Sequence, residues 1–176
     1  MVSLKMQEAI DFAYEIHKNQ VDKAGRPYFG HVLRVAITVL PLGEKYFIAA
    51  ILHDVVEDGG VSLQYIEEHW CKEIADAVES VSRRVNPTKE GYMDLIDRAG
   101  ANLIGIEVKL ADLEDNMQPS RIACLPLEMQ SIVGRYERAK AKLLLLKKLR
   151  RDEQNRIDCE KAKLQAEQIY LNGGGA

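Results

Sequence analysis

Ala49-Ala50-Ile51-Leu52-His53-Asp54-Val55-Val56-Glu57-Asp58 is the stretch on which the reading of this chain turns, an apolar run that ends in a crowd of ionisable groups. Ile48, Ile51, Leu52 and Val55 recur at helical spacing, so a helix is predicted over residues 44–58, and Gly59 and Gly60 stop it. On a continuous helix His53 and Glu57, and likewise Asp54 and Asp58, stand four residues apart and form adjacent columns on one side. Asp54, Glu57 and Asp58 so close together repel one another and raise one another's pKa unless a cation or hydrogen bonds compensate. A metal ion supplies that compensation.

Outward from this stretch helical periodicity continues to both ends, and no segment alternates with period two between turn signals, so the fold class is all-α. Upstream, Met6, Ile10, Ala13 and His17 form one buried stripe of a first helix capped by Ser3, which makes His17 a hydrogen-bonded structural histidine on the inner face. Gly25, Pro27 and Gly30 turn residues 19–30 into a loop that delivers His31 to the start of a second helix, which Pro41 and Gly43 end. Downstream, Ser62 caps a short helix, and further helices are predicted over residues 71–82, 88–101 and 103–117, with a loop at Asn86-Pro87. From Pro126 one or two long helices lead to a flexible end from Gly173 to Ala176. There Ile157, Leu164 and Leu171 fall seven residues apart, but their companion positions are charged, which favours a helix laid across the domain surface over a coiled-coil seam.

The 176 residues suffice for one self-contained core, expected over residues 1–148, followed by a charged C-terminal helical extension over 149–176. A composition 47% hydrophobic and 29% charged is that of a folded protein, not of a disordered or fibrous one. The longest apolar stretch, residues 46–52, is too short to cross a bilayer and the N-terminus is polar, so no membrane association and a cytoplasmic location are expected. Cys71, Cys124 and Cys159 stand singly and are read as reduced. A net charge of −3 argues against a nucleic-acid partner, although residues 138–163 hold ten basic against four acidic side chains. That basic segment can face water, an anionic ligand, or a second subunit in a homo-oligomer.

A second cluster, Lys109-Leu110-Ala111-Asp112-Leu113-Glu114-Asp115-Asn116-Met117, sets Asp112 and Asn116 four apart on one helix face. His31, His53, Asp54 and Asp112 together offer two imidazoles and two carboxylates, a set that suits Mn²⁺ first and admits Fe²⁺, Zn²⁺ or Co²⁺. On an octahedral ion four protein ligands leave two positions open, as a hydrolase needs. Taken alone, His31 after a loop or Asp112 on a helix is more often a cap or a surface group; the combination is what points to a metal.

These motifs come in a definite order. His17 and Gln20 are followed by Lys23-Ala24-Gly25-Arg26-Pro27-Tyr28 leading to His31, then by Leu52 to Asp58, then by Lys109-Leu110-Ala111-Asp112 with Asn116-Met117. In this order they resemble the HD-domain superfamily and, within it, the small Rel/Spo-type alarmone hydrolases, over roughly residues 4–145. The resemblance implies a compact HD-domain helical bundle with a long C-terminal extension. It further implies one Mn²⁺ on His31, His53, Asp54 and Asp112, water oriented or activated by Glu57 and Asp58, and a nucleotide contact from Asn116. The activity so implied is removal of the 3′-pyrophosphate from a guanosine or adenosine alarmone such as ppGpp. Cations must steady the charge that develops on the phosphate. Lys23 is the first candidate, with Arg26, Arg98 and Arg121 behind it, each equally readable as a solvated surface charge. Tyr92 can stack on a base or close over the site, or simply anchor a helix start.

The departures from the family bear on substrate. Asp22 stands where the long alarmone enzymes carry an Arg that stacks on guanine, Ala24 replaces a hydroxyl residue, and residues 112–116 read Asp-Leu-Glu-Asp-Asn in place of Asp-Arg-Leu-His-Asn. They resemble a short stand-alone HD subgroup, and nothing resembles a synthetase domain, so hydrolysis without synthesis is expected. Two alternatives keep the same nucleotide-sized ligand. One is HD chemistry on a 2′- or 3′-phosphate cofactor or a cyclic nucleotide. The other is a non-catalytic nucleotide-binding module, against which the Glu57 and Asp58 pair argues.

Overall fold

The computed structural model describes residues 3–22, 25–85, 88–126 and 129–173. Its helices in chain order are α1 (Leu4–His17), α2 (Phe29–Val39), α3 (Glu44–Ile51), α4 (Val55–Gly59), α5 (Leu63–His69), α6 (Lys72–Val81), α7 (Tyr92–Ala101), α8 (Leu103–Asn116), α9 (Pro119–Ile122) and α10 (Ile132–Gly173), with a 3₁₀ turn at Leu40–Leu42. Among the described residues extended pairing is confined to a single bridge between Val21 and Pro27. The fold is therefore all-α. The loop expected at Asn86-Pro87 and the tail after Gly173 lie outside the described residues, as do Lys23 and Ala24.

Helix α3 explains why the stretch quoted first carries so much weight. Every residue from Phe47 to Leu52 is buried, and a helix apolar all round needs neighbours on every side. It has them: α1, α2, α6 and α8 all pack against it. The domain is in effect wrapped around this segment, whose C-terminal end carries the ionisable cluster out to the surface of the core. Ile51 is fully buried at its centre. Ile51→Ala is expected to cost about 2–5 kcal/mol, seen as a lower urea midpoint with an unchanged denaturant slope.

Local signals set the helix ends. Ser3 Oγ accepts from the Met6 amide at 3.1 Å and Ser62 Oγ accepts from the Tyr65 amide at 3.1 Å, each an N-cap. Asn102 caps α8 in the same way, accepting from Ile104 and Gly105 at 2.9 and 2.8 Å. At Gly105 a Cβ would lie 2.0 Å from Ser80 Oγ, so glycine is what lets α8 approach α6.

Three expectations are corrected. The inner face of α1 runs through Met6, Ala9, Ala13 and His17, with Ile10 only half-buried, because the small Ala9 allows closer packing than Ile10 would. α7 begins at Tyr92, four residues later than predicted, because Glu90 is held by Arg98 and by the Arg84 amide, which keeps the chain ahead of it extended. The helix predicted over residues 44–58 is broken between α3 and α4, with consequences described below.

The chain divides into two compact units, residues 1–143 and 144–176. The boundary expected after residue 148 falls inside α10, a single 42-residue helix. Among the described residues no helix is long and apolar enough to cross a membrane.

Candidate metal and active site

The break after α3 is what aims His53 and Asp54. Leu52 leaves the helical region at φ −99°, ψ 1°, and Asp54 lies at its edge, at φ −106°, ψ −3°. The chain tightens there into i to i+3 bonds, Val55 N donating to Leu52 O at 3.2 Å and His53 N to Ala50 O at 3.4 Å. His53 Nδ1 meets the Ala50 carbonyl at 2.7 Å. A carbonyl can only accept, so Nδ1 carries a proton and Nε2 is left facing Asp54 Oδ2 at 2.8 Å. That Nε2 is buried and makes no hydrogen bond.

His31, two residues into α2, is held in the same way from the other side. Its Nδ1 lies 2.6 Å from Asp115 Oδ2, and its Nε2 lies 3.3 Å from Asp112 Oδ1 and 4.0 Å from Asp54 Oδ2. The two rings meet edge to face with centroids 5.5 Å apart. His31, His53 and Asp54 thus turn one ligand atom each to a common spot, all within 4.8 Å of one another. Both Nδ1 atoms are committed, both Nε2 atoms point inward, and that of His53 is buried without a hydrogen-bond partner. These residues fit a divalent cation. Asp112 borders this trio. Its Oδ2 accepts from Lys109 Nζ at 2.8 Å and its Oδ1 from Asn116 Nδ2 at 2.5 Å.

The charges are tightly interlocked. Burial works against a charged His53, but Asp54 and then Asp112 lift its pKa to about 9. Burial likewise opposes charge on His31, and Asp112 and Asp115 raise it nonetheless. Burial would push the Asp54 and Asp112 carboxyls up, yet His53 beside the first and Lys109 beside the second hold both well below the usual carboxylate range. A metal must displace the proton on His53 Nε2 before it can bind. Divalent-ion uptake is therefore expected to release protons, with apparent affinity rising from pH 6 and levelling off above about pH 9. Calorimetry in buffers of different ionisation enthalpy counts those protons; an uptake independent of buffer and of pH would contradict the assignment.

Asp54 also accepts from the Tyr28 hydroxyl at 2.6 Å, so the loop before α2 and the break after α3 meet at this carboxylate. Burial, followed by the Asp54 charge, keeps that phenol protonated well above its ordinary range. Outside the trio opens a cavity of about 410 Å³. Asp54, Glu57, Asp58 and Asp112 line it together with the cations Arg83, Lys109, Arg121 and Arg135 and the rings of Tyr92 and Tyr136. Glu57 accepts from the Arg83 amide at 2.6 Å, and partial desolvation in the wall, with Asp54 and Asp58 near it, leaves its pKa raised. Asp58 accepts from Gln20 Nε2 at 2.8 Å, and Gln20 Oε1 is held by His17 Nδ1 at 2.6 Å.

Of the residues singled out in the sequence for substrate contact, Tyr92, Asn116 and Arg121 line this cavity. Arg98 does not. Its guanidinium is spent on Glu90 Oε2 at 2.7 Å, on Ser82 O at 2.6 Å and on the Glu79 carbonyl, a bracket between α6 and α7. Lys23 lies outside the described residues. Asp22 folds back on its own loop, accepting from the Arg26 amide at 3.0 Å and from Arg26 Nε at 3.2 Å, with both residues on the cavity wall.

Several contributors escaped the sequence reading. Lys109 and Tyr28 lie inside quoted motifs, and each has a sequence neighbour that drew attention away from it. Asp115 stands three residues after Asp112, a spacing that puts both carboxylates on one helix face and could have flagged it. Arg135 lies over the Tyr92 ring at 4.5 Å, and nothing in the sequence around it announces a site.

An all-helical domain that turns two imidazole nitrogens and a carboxylate to one spot at the edge of a cavity is a His/Asp cation-site domain. The chain belongs to the HD-domain family, whose model matches residues 9–98, just over half of its length. It is 34% identical over 121 residues to a guanosine-3′,5′-bis(diphosphate) 3′-pyrophosphohydrolase of Aquifex aeolicus, in an alignment that takes in 65% of this chain and 17% of that protein. It is 29% identical over 124 residues to the bifunctional (p)ppGpp synthase/hydrolase SpoT of Escherichia coli, covering 65% of this chain and 18% of that one. The chain thus spans less than a fifth of the length of these curated relatives. A solved structure from work on a metazoan ortholog of SpoT that hydrolyzes ppGpp superposes with a TM-score of 0.69 at 24% identity, over 81% of this chain and 86% of that one, and shares the fold.

Proposed function

We propose that this chain is a divalent-metal phosphohydrolase that removes the 3′-pyrophosphate from (p)ppGpp or a related alarmone, with Mn²⁺ on His31, His53, Asp54 and Asp112. The observation that carries the reading is the pairing of two inward Nε2 atoms and the Asp54 carboxylate with a cavity lined by cationic and aromatic side chains. An acidic lining alone would repel a polyphosphate; here the carboxylates are accompanied by Arg83, Lys109, Arg121 and Arg135. The names of the HD-family relatives support the substrate class.

When bound, the cation supplies positive charge that neutralises phosphate oxygens and acidifies water. Glu57 or Asp58 accepts the proton from the water as it adds to the 3′ phosphorus. The bond to the ribose 3′ oxygen breaks, that oxygen takes up a proton, and pyrophosphate and the 5′-diphosphate nucleotide leave. Lys109 and Arg121 steady the charge on the phosphoryl group, while Tyr92 and Asn116 contact the nucleotide. Purified protein incubated with Mn²⁺ and ppGpp is expected to release pyrophosphate and GDP in equal amounts. Metal-loaded, folded protein that releases neither overturns this substrate.

One observation favours a second substrate within the same chemistry. Asp22, paired with Arg26, stands on the wall where the resemblance puts a base-stacking arginine. A nucleotide panel that includes 2′- and 3′-phosphate cofactors and cyclic nucleotides, assayed for phosphate, pyrophosphate and ring opening, decides between them.

A further inference from the structure

Asp115 is 4% exposed, and its carboxylate gathers donors from four side chains. His31 Nδ1 reaches Oδ2 at 2.6 Å, Arg34 donates through Nε at 2.6 Å and Nη2 at 3.1 Å, Arg121 Nη1 donates at 2.8 Å, and Gln118 Nε2 at 3.1 Å. A carboxylate so saturated is an acceptor and nothing else. It therefore keeps a proton of His31 on Nδ1 and leaves Nε2 as the atom that faces Asp54 and Asp112. Turning the His31 ring away would break the 2.6 Å bond and leave Asp115 with its arginine contacts and no imidazole.

We propose that Asp115 is the positioning residue of the cation site: it fixes the tautomer and the orientation of His31 and ties that ring, through Arg121, to the cavity wall. The inference rests on the reading of His31 as a metal ligand. A histidine ligand whose second nitrogen donates to a carboxylate is better oriented and more basic than one without. Here the carboxylate itself is anchored by two cations of different character. Arg34, one turn along α2 from His31 and half exposed, holds it from the solvent side. Arg121, 12% exposed and also bonded to Asn116 Oδ1 at 3.0 Å, holds it from the cavity side. The metal ligand and a cavity-lining cation thus share one acceptor. The Asp-Leu-Glu-Asp-Asn wording of residues 112–116 gains a purpose by this, since its fourth residue reaches back across 84 positions to support the first histidine.

Titration of the full chain with Mn²⁺ by calorimetry, on wild type, Asp115→Asn and His31→Gln, tests this. Asp115→Asn is nearly isosteric and is expected to weaken Mn²⁺ binding by about 10–100-fold. In parallel, ¹⁵N spectra of the imidazoles at high pH without metal should show His31 moving from a single Nδ1–H tautomer to a mixture in the variant. If Asp115→Asn fails to fold, the Asp115→Asn/Arg34→Met double variant removes the charge together with one of its cations and carries the same test. Asp115→Asn binding Mn²⁺ within about twofold of wild type, while His31→Gln loses it, overturns the positioning role and leaves the metal site intact. A wild-type chain that takes up no divalent ion overturns the metal reading and the inference together, and the wild-type titration tells the two failures apart.

Discussion

Asp54→Asn is expected to leave the chain folded, to abolish retention of a divalent ion at micromolar concentration, and to slow the proposed alarmone hydrolysis by about 10³-fold or more. The magnitude follows from the several kcal/mol of phosphate-charge stabilisation that a bound cation supplies, each 1.36 kcal/mol being tenfold in rate. Asparagine keeps the shape and can still accept from Tyr28, which holds Asp54 at 2.6 Å, so the loop ahead of α2 stays in place. What disappears is the negative charge 2.8 Å from His53 Nε2.

That loss has a second, independent signature. His53 titrates at about 9 because Asp54 and Asp112 override the effect of its burial. With the nearer carboxylate gone, burial gains the upper hand and the His53 pKa falls. The sign for stability follows. A pKa raised above the ordinary 6.5 contributes stabilisation that is fully present below that value and fades as the pH climbs toward about 9. Asp54→Asn should therefore lose most stability at pH 6, where His53 is charged in the wild type, and least above pH 9, both measured without added metal. Equal destabilisation at the two pH values, or unimpaired Mn²⁺ binding, would count against the assignment of both residues.

The same turn shows how far the sequence could be read. Its apolar run and ionisable end located the core and the site together, because a helix that must be buried on all sides can only sit at the centre of a small domain. The cluster was legible in part: of the four residues expected to hold a cation, His31, His53 and Asp54 turn ligand atoms to one spot. The break between α3 and α4 was not. Leu52, His53 and Asp54 are neither glycine nor proline, and the bond between His53 Nδ1 and the Ala50 carbonyl that accompanies the break is a side-chain event with no periodic trace. Arg98 illustrates the opposite error. From its place near the motifs Arg98 reads as a phosphate contact or a solvated charge, yet Glu90 on the preceding loop holds it. Charge pairing across loops is set by tertiary approach, and spacing along one helix does not reveal it. The contact of Arg135 with Tyr92 is hidden for the same reason.

Replacing the acidic pair separates binding from chemistry. Glu57→Gln and Asp58→Asn should each leave Mn²⁺ affinity within about threefold of wild type, because neither belongs to the trio of mutually close ligand atoms. The variant that removes the general base should lose about 10²–10⁴-fold in kcat. The pH profile tells the two carboxylates apart. Glu57 has a raised pKa, chiefly from desolvation in the cavity wall and then from the neighbouring Asp54 and Asp58 charges, against the pull of the Arg83 amide. A base must be ionised to accept a proton, so if Glu57 fills that role the rate falls as pH drops through this raised value, and the acidic limb of kcat lies above 4.5. Glu57→Gln then removes the limb along with the rate, whereas Asp58→Asn lowers the rate and leaves the limb where it was. Asp58 has its own support in Gln20 and, behind it, the buried His17. Gln20→Met should accordingly reproduce a fraction of the Asp58→Asn loss and none of the Glu57→Gln change in profile. A limb that follows Asp58 instead would exchange the two roles, making Asp58 the proton acceptor and Glu57, tied to the Arg83 backbone, the residue that orients the water.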